Sequence, residues 1–412
     1  MAVTTPRDAH VGDYDPLASD DPEDVRATFD DLRGRCPVAH SSAYGGFWTL
    51  SRYEDVRAAA SDSQTFISSV AAVIPRDPRG LRRPPLNFDA PAHTPYRRAL
   101  DRTLQRSRLD HLEPRLWEHA RRELAPMLAR GGGDVAQEYG VRFPAWLTTE
   151  WLNLPSDIAP ELAETSFRWV SAWRDQDRDT VNEASAAMYE MAWDLLRARK
   201  ADPLPVEEDP ASSLLAERVD GEPLLDENLV GALRQCLVVG MVAPPILLGS
   251  VTQHLSDDRE LQDRLRANPE LMPAAVEEFV RLYSPYRGFA RTVSEAITLH
   301  GREIQPEEPI ALSYVAANRD PEMFENPNEF ILDRPNIRQH LGFGRGRHRC
   351  AGMPLARLGI RVALTHLLQA TASFHVNGPT VGARMPEVGL TSVPLELTPA
   401  RQEPRLGQMA RA

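Results

Sequence analysis

Apolar residues recur at helical spacing over long stretches of this chain, from Leu104 to Leu128, Ile158 to Leu196, Glu227 to Leu255 and Pro269 to Leu282. Spacings of three and four residues put such positions on one helix face, so these stretches predict the helical bulk of the molecule. Gly131 to Gly133 and the proline-rich run from Pro203 to Pro210 break the pattern. Phe47 to Leu50 reads as a short strand and Tyr53 to Ala60 as a helix. After Tyr286 the texture changes to short apolar pairs between turns, and helical spacing returns from Pro354 to about Gln369. No internal repeat and no change of character marks a boundary. The expected fold is therefore mainly α with small β-sheets, in a single domain over residues 25–398. Residues 1–24 are rich in aspartate and poor in large apolar side chains, which predicts an acidic flexible tail, and 399–412 reads as a linker-like C-terminal tail.

The 412 residues are 42% hydrophobic and 26% charged, enough apolar material for a sizeable core. The longest apolar stretch, Cys236 to Gly249, carries two prolines and falls short of the ~20 residues a membrane-spanning helix needs. The opening residues lack the basic-then-apolar order of a signal peptide. A cytoplasmic protein with no membrane association is expected. A formal net charge of -12 argues against nucleic acid as a partner. The three cysteines, Cys36, Cys236 and Cys350, lie too far apart for a disulfide framework or a four-cysteine metal site.

From His340 to Pro354 the chain places Cys350 between a glycine-rich loop and a helix start. Backbone N–H groups at a helix N-terminus and neighbouring arginines favour the thiolate. Gly344 and Gly346 let the backbone bend and come close to a flat cofactor, and Phe343 is placed to pack beside the sulfur. Taken by themselves, the same residues also suit a buried cysteine in a turn or an arginine- and glycine-rich loop touching RNA. The dinucleotide fingerprint G-x-G-x-x-G is excluded, because Arg347, His348 and Arg349 follow Gly346.

The order F-G-x-G-x-H-x-C-x-G is matched at every fixed place from Phe343 to Gly352, and in this the chain resembles the cytochrome P450 superfamily, specifically its bacterial soluble haem-thiolate monooxygenases. The resemblance covers residues 25 to about 398. It implies the cytochrome P450 fold, with a b-type haem between the long central helix and the cysteine loop with its following helix, and Cys350 as the axial iron ligand. No C-x-x-C-H is present, so the haem would not be covalently attached. A thiolate ligand implies oxygen activation, because its electron donation favours O–O cleavage. His93 and Arg97, which follow the lead-in Phe88 to Pro91, resemble family residues that meet the haem propionates, as do Arg291 and His348. Phe343 and Gly344 complete the cofactor-binding set. Glu278 and Arg281, one helical turn apart, resemble with Arg334 the family's structural Glu-Arg-Arg triad. The E-x-x-R spacing alone decides nothing, since it recurs at Glu23/Arg26, Glu54/Arg57 and Glu118/Arg121.

One departure from the family pattern bears on mechanism. The central helix of the family carries A-G-x-D/E-T, and Val239 to Pro245 here reads V-G-M-V-A-P-P. Gly240 is retained, but Val242 stands for the acid and Ala243 for the alcohol. Pro244 and Pro245 remove the N–H groups that would bond the carbonyls of Gly240 and Met241, so a kink with two free, water-binding carbonyls is expected. Gly240, Val242, Ala243 and Pro244 are thus the candidate catalytic positions. The resemblance puts substrate contacts in Val70 to Leu81 and Arg287 to Ala290. Val73, Ile74, Val239 and Phe289 then make an apolar pocket for a small lipophilic substrate, aromatic ones included.

The implied activity is insertion of one oxygen atom from dioxygen, by hydroxylation or O/N-dealkylation, with electrons from a separate or fused reductase. From Arg334 through Pro386 there is no Asp or Glu, yet there are eight arginines: Arg334, Arg338, Arg345, Arg347, Arg349, Arg357, Arg361 and Arg384. Those flanking Cys350 are expected to ring the proximal face and attract an acidic ferredoxin or a flavin/iron–sulfur reductase domain. The absent acid and alcohol keep a peroxide-driven peroxygenase open as an alternative. A haem sensor or electron carrier is a further one, although the helical segment 104–255 is more than a carrier needs.

Overall fold

The structure is a computed structural model and describes residues 12–76 and 81–401. Its helices are α1 (Pro22–Arg35), α2 (Tyr53–Ser61), α3 (His93–Arg102), α4 (Arg106–Arg130), α5 (Gly140–Trp151), α6 (Ile158–Arg174), α7 (Arg178–Ala201), α8 (Pro210–Ala216), α9 (Asp226–Asp257), α10 (Arg259–Ala267), α11 (Met272–Leu282), α12 (Tyr314–Ala317) and α13 (Met353–Ala370). The long helix α9 is the axis. Helices α5, α6 and α7 pack along it, while α13 packs on α4 and α11. The main apolar core joins Leu116, Trp117 and Leu124 of α4 to Phe143 of α5, Leu233 and Leu237 of α9, and Val362 and Leu364 of α13.

A five-stranded sheet lies to one side, in the order Val38–Ser41, Phe47–Leu50, Pro309–Leu312, Phe289–Val293, Phe66–Ile67. It carries Arg291 in its interior, opposite Ile310. The glycine break at 131–133 becomes an edge strand, Gly132–Asp134, paired with Pro394–Pro399. A side chain at Gly132 would come within 2.4 Å of the Leu395 carbonyl, so the close pairing requires glycine.

Three expectations change. The helical stretch Ile158 to Leu196 is two helices, α6 and α7, because the chain reverses without proline or glycine: Gln176 takes φ 59° and Asp177 caps the Thr180 amide. Residues 12–24, expected within a flexible tail, are packed. Tyr14 bonds Thr49 at 2.6 Å, Asp13 accepts the His40 amide at 2.8 Å, and Arg287 donates to the carbonyls of Pro16 (2.6 Å) and Ser19 (3.2 Å). The rest of that segment, residues 1–11, lies outside the described residues, as does the C-terminal stretch from 402. The third change concerns α9. The apolar run was expected to be too short for a membrane span, but the 32-residue helix containing it is long and apolar enough by itself, and 72% of its apolar window is buried within the protein. Packing against the other helices accounts for that apolarity. Pro244 and Pro245 do not end the helix.

Candidate functional site

Cys350 stands three residues before α13, at the end of a loop whose shape is dictated by glycine. Gly346 has φ 71°, and a Cβ there would lie 2.1 Å from the Ala60 carbonyl, so only glycine lets the loop seat against α2. The Cys350 amide closes the turn onto the Phe343 carbonyl at 2.8 Å. Arg97 ties α3 to the same loop: its guanidinium bonds the carbonyls of Arg347 and Arg349 and the carboxylate of Asp101. Arg97 thus already carries part of the loop's architecture. Phe343 lies under the Arg357 guanidinium, 5.0 Å from ring centroid to carbon, and Gly344 lies against the Tyr314 hydroxyl.

Burial pushes the Cys350 thiol up, while the Gly352 amide and the charges of Arg97, Arg357 and Arg349 pull it down, the direction expected of a helix start and neighbouring arginines. A coordinated iron would make it a thiolate, since a metal deprotonates a ligating thiol outright.

Around the loop the structure gathers unpaired donors and cations. His93 is buried, and among the described residues neither of its ring nitrogens has a hydrogen-bond partner. Its ring meets that of His348 edge to face at 4.6 Å. Burial, then the charges of His348, Arg97 and Arg347, push His93 down to about 3. His348 Nε2 is also without a hydrogen bond, 3.8 Å from Asp89. Arg291 is buried, and its charge reaches His348. His93 is left without an acceptor and Arg97 and Arg291 lie near His348 with Asp89 as the nearby carboxylate, so a pair of propionates would supply the missing acceptors and charge. The residues present fit a haem.

Beneath the loop, Glu278, Arg281 and Arg334 meet in full burial. Arg281 clasps Glu278 with two bonds of 2.8 and 2.7 Å, and Arg334 adds one at 3.0 Å. Remaining donors of the two arginines reach the carbonyls of Asn318, Pro327, Glu329 and Asn326. Burial pushes Glu278 up, but the hydrogen bonds and charge of Arg281, with the Ile331 amide and Arg334, outweigh it and hold the carboxyl below its usual range.

The other side of the site is α9. Val239, Gly240, Ala243 and Pro244 stand at i, i+1, i+4 and i+5 and form an accessible stripe in the mostly buried middle of the helix, with Val239 48% exposed. Val242 turns inward and is buried. Of the other expected pocket residues, Phe289 meets the Tyr286 ring at a tilt of 55°, centroids 5.0 Å apart, and Val73 is half-buried. Ile74 is packed among Phe47, Ala71, Ala290 and Met385 and so belongs to a core cluster. The loop from Val70 to Leu81 is described only in part, residues 77–80 lying outside the described residues. Arg287 spends its donors on the carbonyls of Glu387, Pro16 and Ser19.

Three groups escaped the motif-based reading. Gln235, one turn before Val239, has a buried Oε1 without a partner, and so does Trp169 Nε1 on α6. Thr148 of α5 abuts Gly240. None belongs to a motif, and only the helix periodicity of α9 could have singled out Gln235. Four of the eight arginines are engaged within the protein. Arg357 pairs with Glu277, Arg361 with Glu113, Arg384 with Asp20 and Asp175, and Arg334 is internal. Arg338, Arg345, Arg347 and Arg349 are exposed and make no ion pair among the described residues. A groove of about 840 Å³ beside Cys350 is lined by arginines of this set together with Asp101 and Glu277.

Comparison with known proteins agrees with this geometry. The family model described as Cytochrome P450 matches residues 249–395. The mycinamicin IV hydroxylase/epoxidase of Micromonospora griseorubida is 32% identical over 357 residues, covering 85% of this chain and 88% of that protein. The vitamin D(3) 25-hydroxylase of Pseudonocardia autotrophica is 31% identical, covering 82% and 83%. Among solved structures, CYP108D1 of Novosphingobium aromaticivorans superposes with a TM-score of 0.82 at 27% identity, over 92% of this chain and 95% of that one. The substrate-free CYP150A6 of Mycobacterium marinum gives 0.82 at 27%, over 94% and 99%. This chain belongs to the cytochrome P450 family, the monooxygenases that carry haem b on a cysteine thiolate.

Proposed function

We propose that Cys350 is the iron ligand and that the chain inserts one oxygen atom from dioxygen into a small lipophilic substrate, by hydroxylation or O/N-dealkylation. The carrying observation is that Cys350 shares its loop with His348, whose ring meets that of the buried His93, and that among the described residues neither His93 nitrogen has a hydrogen-bond partner. His93, His348 and Arg291 hold the propionates, with Arg97 shared between a propionate and the loop carbonyls. Phe343 and Gly344 flank the sulfur. The α9 stripe of Val239, Gly240, Ala243 and Pro244 forms the distal wall, and its lack of charge supports an apolar substrate. Relatives named as hydroxylases and an epoxidase support oxygen insertion as the reaction class. Electrons come from a separate or fused reductase that docks at the exposed Arg345, Arg347 and Arg349, an acidic ferredoxin being the partner of matching charge. We place this activity in the cytoplasm.

A spectrum of the reduced carbon monoxide complex tests the ligand. The parent is expected to give the thiolate-type band, and Cys350→His to keep some haem while losing both that band and oxygen insertion. An unchanged band in Cys350→His would rule Cys350 out. A second reading, peroxide-driven peroxygenation, is favoured by Val242 and Ala243: hydrogen peroxide brings its own protons, so it needs no acid–alcohol relay. Turnover with peroxide alone, compared with turnover with a reductase and dioxygen, separates the two.

A further inference from the structure

The Gly240 contact carries a consequence for proton delivery. An ideal Cβ at Gly240 would lie 2.6 Å from Thr148 Oγ1, and among the described residues nothing else beyond α9's own backbone and the adjoining residues lies within 4 Å. Gly240 therefore packs directly against a hydroxyl from another helix, too closely for a side chain to stand between them. Thr148 is 3% exposed, and its hydroxyl makes no hydrogen bond within the described chain. Threonines inside helices commonly bond the carbonyl one turn back. The next residue does something similar, since Thr149 Oγ1 donates to the Trp146 carbonyl at 3.2 Å. The Gly240 carbonyl is short of its helical donor, because residue 244 is proline. A hydroxyl and a carbonyl that lacks its helical donor thus belong to adjoining residues at the α5–α9 contact, one turn before Ala243.

We propose that Thr148 is a positioning residue that, with the Gly240 carbonyl, holds a water on the α9 side of the site, from which protons would be delivered to the oxygen chemistry that a bound haem would supply. It would replace from α5 the hydroxyl that α9 lacks at Ala243. An ordered water needs at least two polar partners, and these two groups provide them. The overall reaction, RH + O2 + 2 e− + 2 H+ → ROH + H2O, takes its electrons from the redox partner and its protons from solvent. Thr148 neither gains nor loses a proton in the balance; it donates a hydrogen bond to the water and fixes its orientation. This inference rests on the dioxygen-dependent reading of the site.

The test compares Thr148→Val, which keeps the shape and removes the hydroxyl, with Thr148→Ser, which keeps the hydroxyl. In Thr148→Val, product formed per electron pair should fall roughly two- to tenfold, the weight of one hydrogen bond, with hydrogen peroxide released instead. Turnover driven by added peroxide should be unchanged. The C–O stretching frequency of the carbon monoxide complex, prepared with a chemical reductant and so independent of any redox partner, should shift in Thr148→Val. Thr148→Ser should restore both readouts. Parent-like coupling and stretch in Thr148→Val would overturn the proposal, and so would a Thr148→Ser as impaired as Thr148→Val, which would mean packing alone matters. A parent without the thiolate-type band, or without dioxygen-dependent turnover, would overturn the underlying reading instead.

Discussion

The ground beneath the cysteine loop and the α9 stripe facing it are built on opposite plans. Beneath the loop, three charged side chains are sealed from water and their donors are met at distances of 2.7 to 3.3 Å. On α9, polar side chains are missing where the family has an acid and an alcohol, and prolines leave main-chain carbonyls without donors. A buried ion pair contributes little net stability over an apolar replacement, but leaving one member unpaired is costly. The triad is thus a fixed floor. The α9 stripe has no comparable set of interlocked charges, and what it holds depends on small groups such as Gly240 and Thr148.

The largest expected break of this contrast is Glu278→Ala. It leaves Arg281 and Arg334 buried without their anion and should cost about 3–5 kcal/mol in denaturant unfolding, with loss of bound haem. A cost below about 1 kcal/mol would show that the floor is not held by charge. On the other side, Ala243→Thr, with Val242→Glu as a second variant, should raise product per reducing equivalent with dioxygen several-fold and leave peroxide-driven turnover alone. No gain in either variant would mean that protons enter elsewhere. A smaller effect is expected at the rim: Arg345→Glu or Arg347→Glu should slow electron delivery and flatten its salt dependence, with substrate binding unchanged. Equal loss of substrate binding would make these residues structural.

The smallest effect sharpens the contrast through pH. Burial pushes Glu277 up, but its bonds to His340 and Arg357 prevail and bring it down to about 2, from an ordinary 4.5. A depressed carboxyl stabilises the fold above its unfolded value and loses that contribution as pH falls toward the folded one. Stability of the parent should therefore decline between pH 4.5 and about 2, and Glu277→Gln should flatten that decline, as read by melting temperature across the range. An identical pH profile in the variant would remove Glu277 from the acid response.

Much of this was legible in the chain. The cysteine loop could be read because a haem-cradling turn demands glycine, histidine and cysteine at fixed spacings, and residues 343 to 352 satisfy all of them. Long helices could be read from apolar periodicity. The turn between α6 and α7 could not, because it is made by Gln176 in a left-handed conformation that many residue types disguise. The arginine count could not show which members are engaged, because ion pairs ignore sequence distance: Arg361 finds Glu113, and Arg384 finds Asp20. Thr148 carries no motif at all, and its relevance exists only where α5 crosses α9.

Arg287 has an evolutionary consequence. Its guanidinium grips residues 16 and 19 by their main-chain carbonyls, which every amino acid possesses. The strap at the amino-terminal side can therefore drift through many sequences and still be fastened along the same path. Arg287 itself has no such freedom, since lysine lacks the forked donors to reach Glu387, Pro16 and Ser19 together. Among descendants of this chain, variation should accumulate in the strap and be rare at its buckle.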